Sequence, residues 1–126
     1  DLTTNNIPEI KYYSGTVVYR KEFDLDALSE ENLFLDLGTV HDLATVRLNG
    51  NDLGTVWCAP WRLEISQYCK PKGNILEIAV TNTWWNRLVY DASQPEGKRI
   101  TKTNIGFSPT YRLMPSGLIG PVTIKR

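Results

Sequence analysis

The sequence predicts an all-β fold, a jelly-roll β-sandwich, on three observations. A hairpin stands at its centre, where Ala44, Val46 and Leu48 alternate with Thr45, Arg47 and Asn49 and then run into Asn49-Gly50. That alternation is the period of a strand with one buried face, and Asn-Gly supplies the positive φ angles of a tight turn. Further short alternating runs lie on both sides, separated by turn residues, and no long helical pattern interrupts them.

In chain order, residues 1–14 read as a polar lead-in whose Tyr12 and Tyr13 pack the edge of the domain. The first strand is Thr16 to Phe23, with Val17, Tyr19 and Phe23 on one face and Lys21 interrupting it. A polar connection follows, with one helical turn expected at Ala27-Leu28. Leu33, Leu35 and Leu37 line the second strand, which Gly38 ends. The hairpin returns along Leu53 to Trp57, where Gly54 marks a bulge or a close backbone approach. Ala59-Pro60 breaks the ladder because proline lacks a backbone donor. Trp61 to Ile65 is extended again, and Ser66 is expected to cap a helical turn reaching Cys69. Leu76, Ile78 and Val80 share the buried face of a strand over Ile75 to Thr81. Trp84-Trp85 reads as a continuation of that strand, which would send the two indoles to opposite faces. Asp91 to Gly117 has no period, and a connection that long is usually functional. Leu118 to Ile124 closes the chain as one strand, with Val122 and Ile124 in phase.

Composition narrows the function. The 126 residues suit one domain, 1–126, with a core of its own. Lys+Arg and Asp+Glu are each 14, so the basic excess of a nucleic-acid binder is missing. No apolar run is long enough to span a bilayer as a helix, so no membrane partner is expected. The chain opens at Asp1 without a signal peptide, as expected of a processed protein or a fragment of a larger one. Cys58 and Cys69 do not have metal-ligand spacing, and both free thiols and a disulfide remain open.

The candidate chemistry lies in rings and amides. A sugar presents an apolar face to Trp or Tyr and hydroxyls to planar polar groups. Trp84, Trp85, Asn86 and Arg87 place both ingredients in consecutive positions, beside Asn82. Trp57, Trp61 and Tyr111 are further candidate rings. Core filling and turn fastening account for the same residues, and both readings stay open. Tyr111 and Arg112 share a long segment with Lys98, Arg99 and Lys102, a basic stretch suited to an anionic sugar or simply to solvent. Asp36, Asp52, Glu64, Glu77 and Asp91 show no arrangement as a hydrolytic carboxylate pair. His41, the only histidine, lies in an expected turn with no nucleophile motif near it. No catalytic residue is therefore named.

The motifs in order carry a resemblance. Tyr19-Arg20-Lys21-Glu22-Phe23, Leu35-Asp36-Leu37-Gly38, Val46-Arg47-Leu48-Asn49-Gly50 and Leu53-Gly54 are followed by Trp57 and Pro60. Gly73-Asn74-Ile75-Leu76-Glu77-Ile78, Val80-Thr81-Asn82, Asn86-Arg87-Leu88 with Asp91, and Ser116 to Val122 complete the set. Together they resemble the sugar-binding, galactose-binding-like domain of family 2 glycoside hydrolases. The nearer likeness is to the domain near the C-terminus of bacterial α-L-rhamnosidase-type (family 106) enzymes. The resemblance implies a jelly-roll sandwich with a non-catalytic role in a secreted or periplasmic hydrolase, an α-L-rhamnosidase or a β-galactosidase/β-glucuronidase-like parent, partnered by the catalytic domain of the same chain and by carbohydrate. It carries sugar contact onto Asn82, Asn86 and Arg87, although Trp84-Trp85 is bulkier than the family pattern. It implies no cofactor. A structural Ca²⁺ occurs in such folds, and backbone carbonyls can ligate it, so the sequence leaves the metal unknown. An autonomous carbohydrate-binding module and a ligand-free spacer are the competing readings.

Overall fold

A computed structural model describes residues 1–26 and 32–126; the helical turn expected at Ala27-Leu28 lies outside the described residues. The described strands are β1 (Thr16–Phe23), β2 (Phe34–Asp36), β3 (Thr39–His41), β4 (Leu43–Leu48), β5 (Asn51–Val56), β6 (Arg62–Glu64), β7 (Asn74–Thr81), β8 (Gly117–Gly120) and β9 (Thr123–Lys125). Among the described residues two α-helices accompany them, α1 (Pro8–Lys11) and α2 (Trp85–Ala92).

An antiparallel sheet in the order β1-β7-β4-β5 forms one layer, and β6-β2-β9 with the β3-β8 pair form the other. The expected alternation is realised. Ala44, Val46 and Leu48 of β4 and Leu76, Ile78 and Val80 of β7 are buried, facing Leu33, Leu35, Leu37 and Val40 in one continuous core. Asn49 (φ 54°) and Gly50 (φ 82°) form the two-residue turn, the twist that lets right-handed strands meet without splaying. So short a turn pairs Asn51 with Leu48 at once, and β5 runs over Asn51–Val56 rather than Leu53 to Trp57. The register slips between Val46 and Arg47, opposite Gly54 (φ 95°), which is the expected bulge. Behind the turn, fully buried Asn74 donates to the carbonyls of Phe23 and Lys70, while Asn49 donates to Asn74 Oδ1 and accepts from the Ile75 N–H.

Several expectations change. The single closing strand is two, because Gly120 (φ 73°) turns the chain and Pro121 offers no donor; β8 pairs with β3, β9 with β2, and Val122 lies exposed between them. Gly38 crosses Gly120 so closely that a Cβ there would lie 2.3 Å from the Gly120 carbonyl carbon, so only glycine fits. Ser66 begins a short 3-10 turn but does not cap it. Ile65 holds the cap position, and the Ser66 hydroxyl accepts from the Leu33 N–H at 2.9 Å. His41 ends β3 instead of lying in a turn. The strand continuation expected at Trp84-Trp85 is the helix α2. Two of its three buried residues, Asn86 and Asp91, are polar, but Trp85, Leu88, Val89 and Ala92 recur at i, i+3, i+4 and i+7, a helical apolar period that the strand reading of Trp84-Trp85 passes over.

Candidate functional site

Strand register brings most of the candidate residues to one end of the sandwich. Val17, Val80, Ala44 and Val56 lie in one cross-strand row. The chain beyond that row therefore leaves the sheet at the same end through Gly15, Asn82, Asp42 and Trp57. Asp42 ties this end together, accepting from the Thr83 N–H at 3.0 Å.

Asn82 is a three-way junction. Its Oδ1 accepts from the Gly15 N–H at 2.8 Å, and its Nδ2 donates to the Tyr13 carbonyl at 2.8 Å and to the Ser116 hydroxyl. The amide thus joins the lead-in, the start of β1 and the end of the long connection over 93–116.

The helix α2 holds that connection in place. Trp85 Nε1 donates to the Arg112 carbonyl at 2.9 Å, and the Trp85 ring packs on Phe107 (edge-on, centroids 5.2 Å apart) and Tyr111 (stacked, 5.9 Å). Asn86 is buried and bonds both polar groups of the Met114 backbone. Arg87 forms an ion pair with Asp91 (Nη2 to Oδ1, 3.1 Å), and its guanidinium lies over the Tyr90 ring, which stacks on Tyr12. Asp91 Oδ2 accepts from the Ile100 N–H, the Thr101 N–H and the Thr101 hydroxyl. Burial pushes the Asp91 pKa up, but the Thr101 hydroxyl and N–H, Arg87 and the Ile100 N–H outweigh it, and the balance lies below the ordinary carboxylate value.

The candidates therefore fall into two groups. The side-chain amides of Asn82 and Asn86 are committed to the protein's own chain, and Arg87 is ion-paired with Asp91 while its Nε has no hydrogen-bond partner. Trp61 is half-buried against the core, and Trp85 is half-buried under the long connection. Trp57 (73% exposed), Trp84 (57%) and Tyr111 (46%) present ring surface to solvent. The structure adds residues the sequence reading missed, chiefly Thr101, Phe107 and Met114. The Arg87–Asp91 pair has i,i+4 spacing, a signal readable only once the segment is taken as a helix.

Three hollows lie along this side. A cleft of about 530 Å³ opens between α2 and the connection, lined by Leu88, Ala92, Arg99, Lys102, Asn104 and Phe107. One neighbour of about 380 Å³ is walled by Trp84, Leu88, Ile100 and Lys102, and another of about 380 Å³ by Trp85, Tyr111, Leu113 and Met114.

The carboxylates are taken up elsewhere. Asp36 accepts from Lys125 Nζ at 2.7 Å, from the Gly38 N–H at 2.9 Å and from Arg62 at 3.2 Å. Those partners, Lys125 foremost, hold its pKa well below the ordinary range. Asp52 accepts from the Gly54 N–H and faces Arg47, and Glu77 lies across from both Arg20 and Arg47. Among the described residues no three His, Cys, Asp or Glu side chains gather where a metal ion could be held. Cys58 is exposed and unbridged; Cys69, half-buried and also unbridged, has its thiol pKa raised by burial.

Comparison with known proteins matches this architecture. The chain is 44% identical to a rhamnosidase from Novosphingobium sp. PP1Y, superposing with a TM-score of 0.89 over 98% of its own length and 12% of that enzyme. A beta-D-glucuronidase of Dictyoglomus thermophilum is 30% identical, with a TM-score of 0.58 over 67% of this chain and 16% of that one. A protein provisionally named a beta-glucuronidase, from Formosa agariphila, is 38% identical over 92% of this chain and 12% of its own length. This chain thus corresponds to about an eighth of the rhamnosidase and of the Formosa protein. Residues 2–118 match the family model described as glycosyl hydrolase 2 galactose-binding domain-like, and the chain belongs to that family.

Proposed function

We propose that this chain is a non-catalytic accessory domain of a larger glycoside hydrolase, carried beside the catalytic module of the same protein. The observation that supports this most is the 44% identity to 12% of a rhamnosidase over nearly all of this chain. The carboxylates support the non-catalytic role. Asp36 and Asp91 are held ionised by structural partners, whereas a hydrolytic acid needs a raised pKa and an open position opposite a second carboxylate. The parent is a rhamnosidase-, galactosidase- or glucuronidase-like enzyme, secreted or periplasmic, and the exposed Trp57 ring is its candidate carbohydrate contact.

The test is an aryl-glycoside assay on the purified 126-residue chain and on the full-length protein that carries it. Hydrolysis by the full-length protein alone is expected. Turnover by the chain alone, abolished by one Asp or Glu substitution within it, overturns the reading.

A further inference from the structure

The side of the sandwich built by α2 and the connection over 93–116 exposes apolar residues in one continuous band. Trp84 and Ile100 (68% exposed) wall one hollow. That hollow shares Leu88 and Thr101 to Thr103 with the central cleft, which Ile105 (67%) and Phe107 line. Phe107 packs edge-on against Trp85 and Tyr111, and those two residues open the third hollow beside Met114. A patch this continuous, rimmed by polar residues, is the ordinary mark of a contact surface.

The connection is also shaped in advance. Asp91, Asn86 and the Trp85 indole fix it at Ile100–Thr101, Met114 and Arg112. Buried polar anchors inside, with Ile100, Ile105 and Met114 outside, describe a loop held rigid so that its apolar side chains face a partner at little ordering cost. Lys98, Arg99, Lys102 and Arg112 are exposed along the band and form no ion pair among the described residues; Glu96 is the exposed acid at the cleft.

We infer that this band is the seat on which the catalytic module of the same protein docks, through an apolar surface carrying Asp or Glu opposite Arg99 and Lys102. The inference rests on the accessory-domain reading, in which most of the parent lies outside these residues. Sugar is the poorer occupant, because the amides of Asn82 and Asn86, which would orient its hydroxyls, are already bonded within the chain, and Arg87 is ion-paired with buried Asp91.

The experiment uses the full-length protein, first confirmed as an active glycosidase; inactivity there overturns the accessory-domain reading itself. Zero-length carbodiimide coupling should join Lys98 or Lys102 to a carboxylate beyond residues 1–126, and leave Lys21 and Lys72 unjoined. Ile100→Glu with Ile105→Glu should abolish that coupling and speed amide exchange over 100–114 by about tenfold, with β4 and β7 unchanged. Coupling from Lys21 or Lys72 instead, in an active enzyme, places the seat elsewhere and overturns the inference. So does protection of 100–114 that appears only on adding oligosaccharide, or coupling only between two copies of the chain.

Discussion

Asn86 pairs with Met114 as one strand residue pairs with another: its Nδ2 donates to the Met114 carbonyl at 2.8 Å and its Oδ1 accepts the Met114 N–H at 2.9 Å. A side-chain amide here replaces a backbone ladder. The connection over 93–116 crosses the domain without a partner strand, so its backbone groups are met by side chains of α2.

Asn86→Ala should therefore cost about 1–3 kcal/mol, the penalty of leaving a buried donor and acceptor unmet. Urea unfolding measures the loss, and amide exchange at Met114 should rise more than in β4 or β7. An unchanged midpoint would mean that solvent replaces both bonds.

Arg87→Ala should act on stability rather than on ligand binding. It strips the ion-pair partner from Asp91, which is 2% exposed. Asp91 retains three donors on Oδ2, and Arg87 is itself partly exposed. The loss should therefore stay near 1–3 kcal/mol, below the full cost of an orphaned buried charge. A thermal melt and a sugar-binding titration separate the roles: unaltered stability with lost binding would make Arg87 a ligand contact.

Two glycines should differ sharply. Gly50 has positive φ with open space around it, so Gly50→Ala should cost about 1 kcal/mol of backbone strain, and Gly50→Val at least as much. Gly38→Ala adds a collision with the Gly120 backbone to the same strain and should exceed about 3 kcal/mol or prevent folding. Equal melting temperatures for the two alanine variants would contradict the Gly38–Gly120 crossing.

Acid should weaken the fold partly through Asp36. Its pKa is lowered in the folded state by Lys125, the Gly38 N–H and Arg62. As pH falls through about 4, the unfolded chain takes up the proton first, and stability drops until the folded carboxylate is also protonated. Above that window the contribution is complete. Asp36→Asn should lower the melting temperature at pH 7 and make its decline below pH 4 shallower; parallel pH profiles would remove Asp36 from the acid response.

Much of the sandwich was legible because its signals are local. Leu33, Leu35 and Leu37, the Ala44–Val46–Leu48 face and the Leu76–Ile78–Val80 face declare a period of two, and Asn49-Gly50 declares its own turn. The motif order carried the family in the same way, since it is a property of the linear chain. The closing strand was misread because the turn at Gly120-Pro121 sends two short strands to different partners, a choice made by β2 and β3.

The candidate site was legible as composition and not as placement. Asn82, Asn86 and Arg87 have the chemistry of sugar contacts, and nothing in the neighbours of the two asparagines reveals that Ser116 and Met114 take up their hydrogen bonds. Those pairings span up to 34 residues, and a polar side chain's partner is decided by what the fold brings near it. The sequence by itself determined the core faces of β4 and β7, the central turn and the family. Only the tertiary structure decided that the amides and the guanidinium face inward to hold the loop, leaving its apolar residues outside.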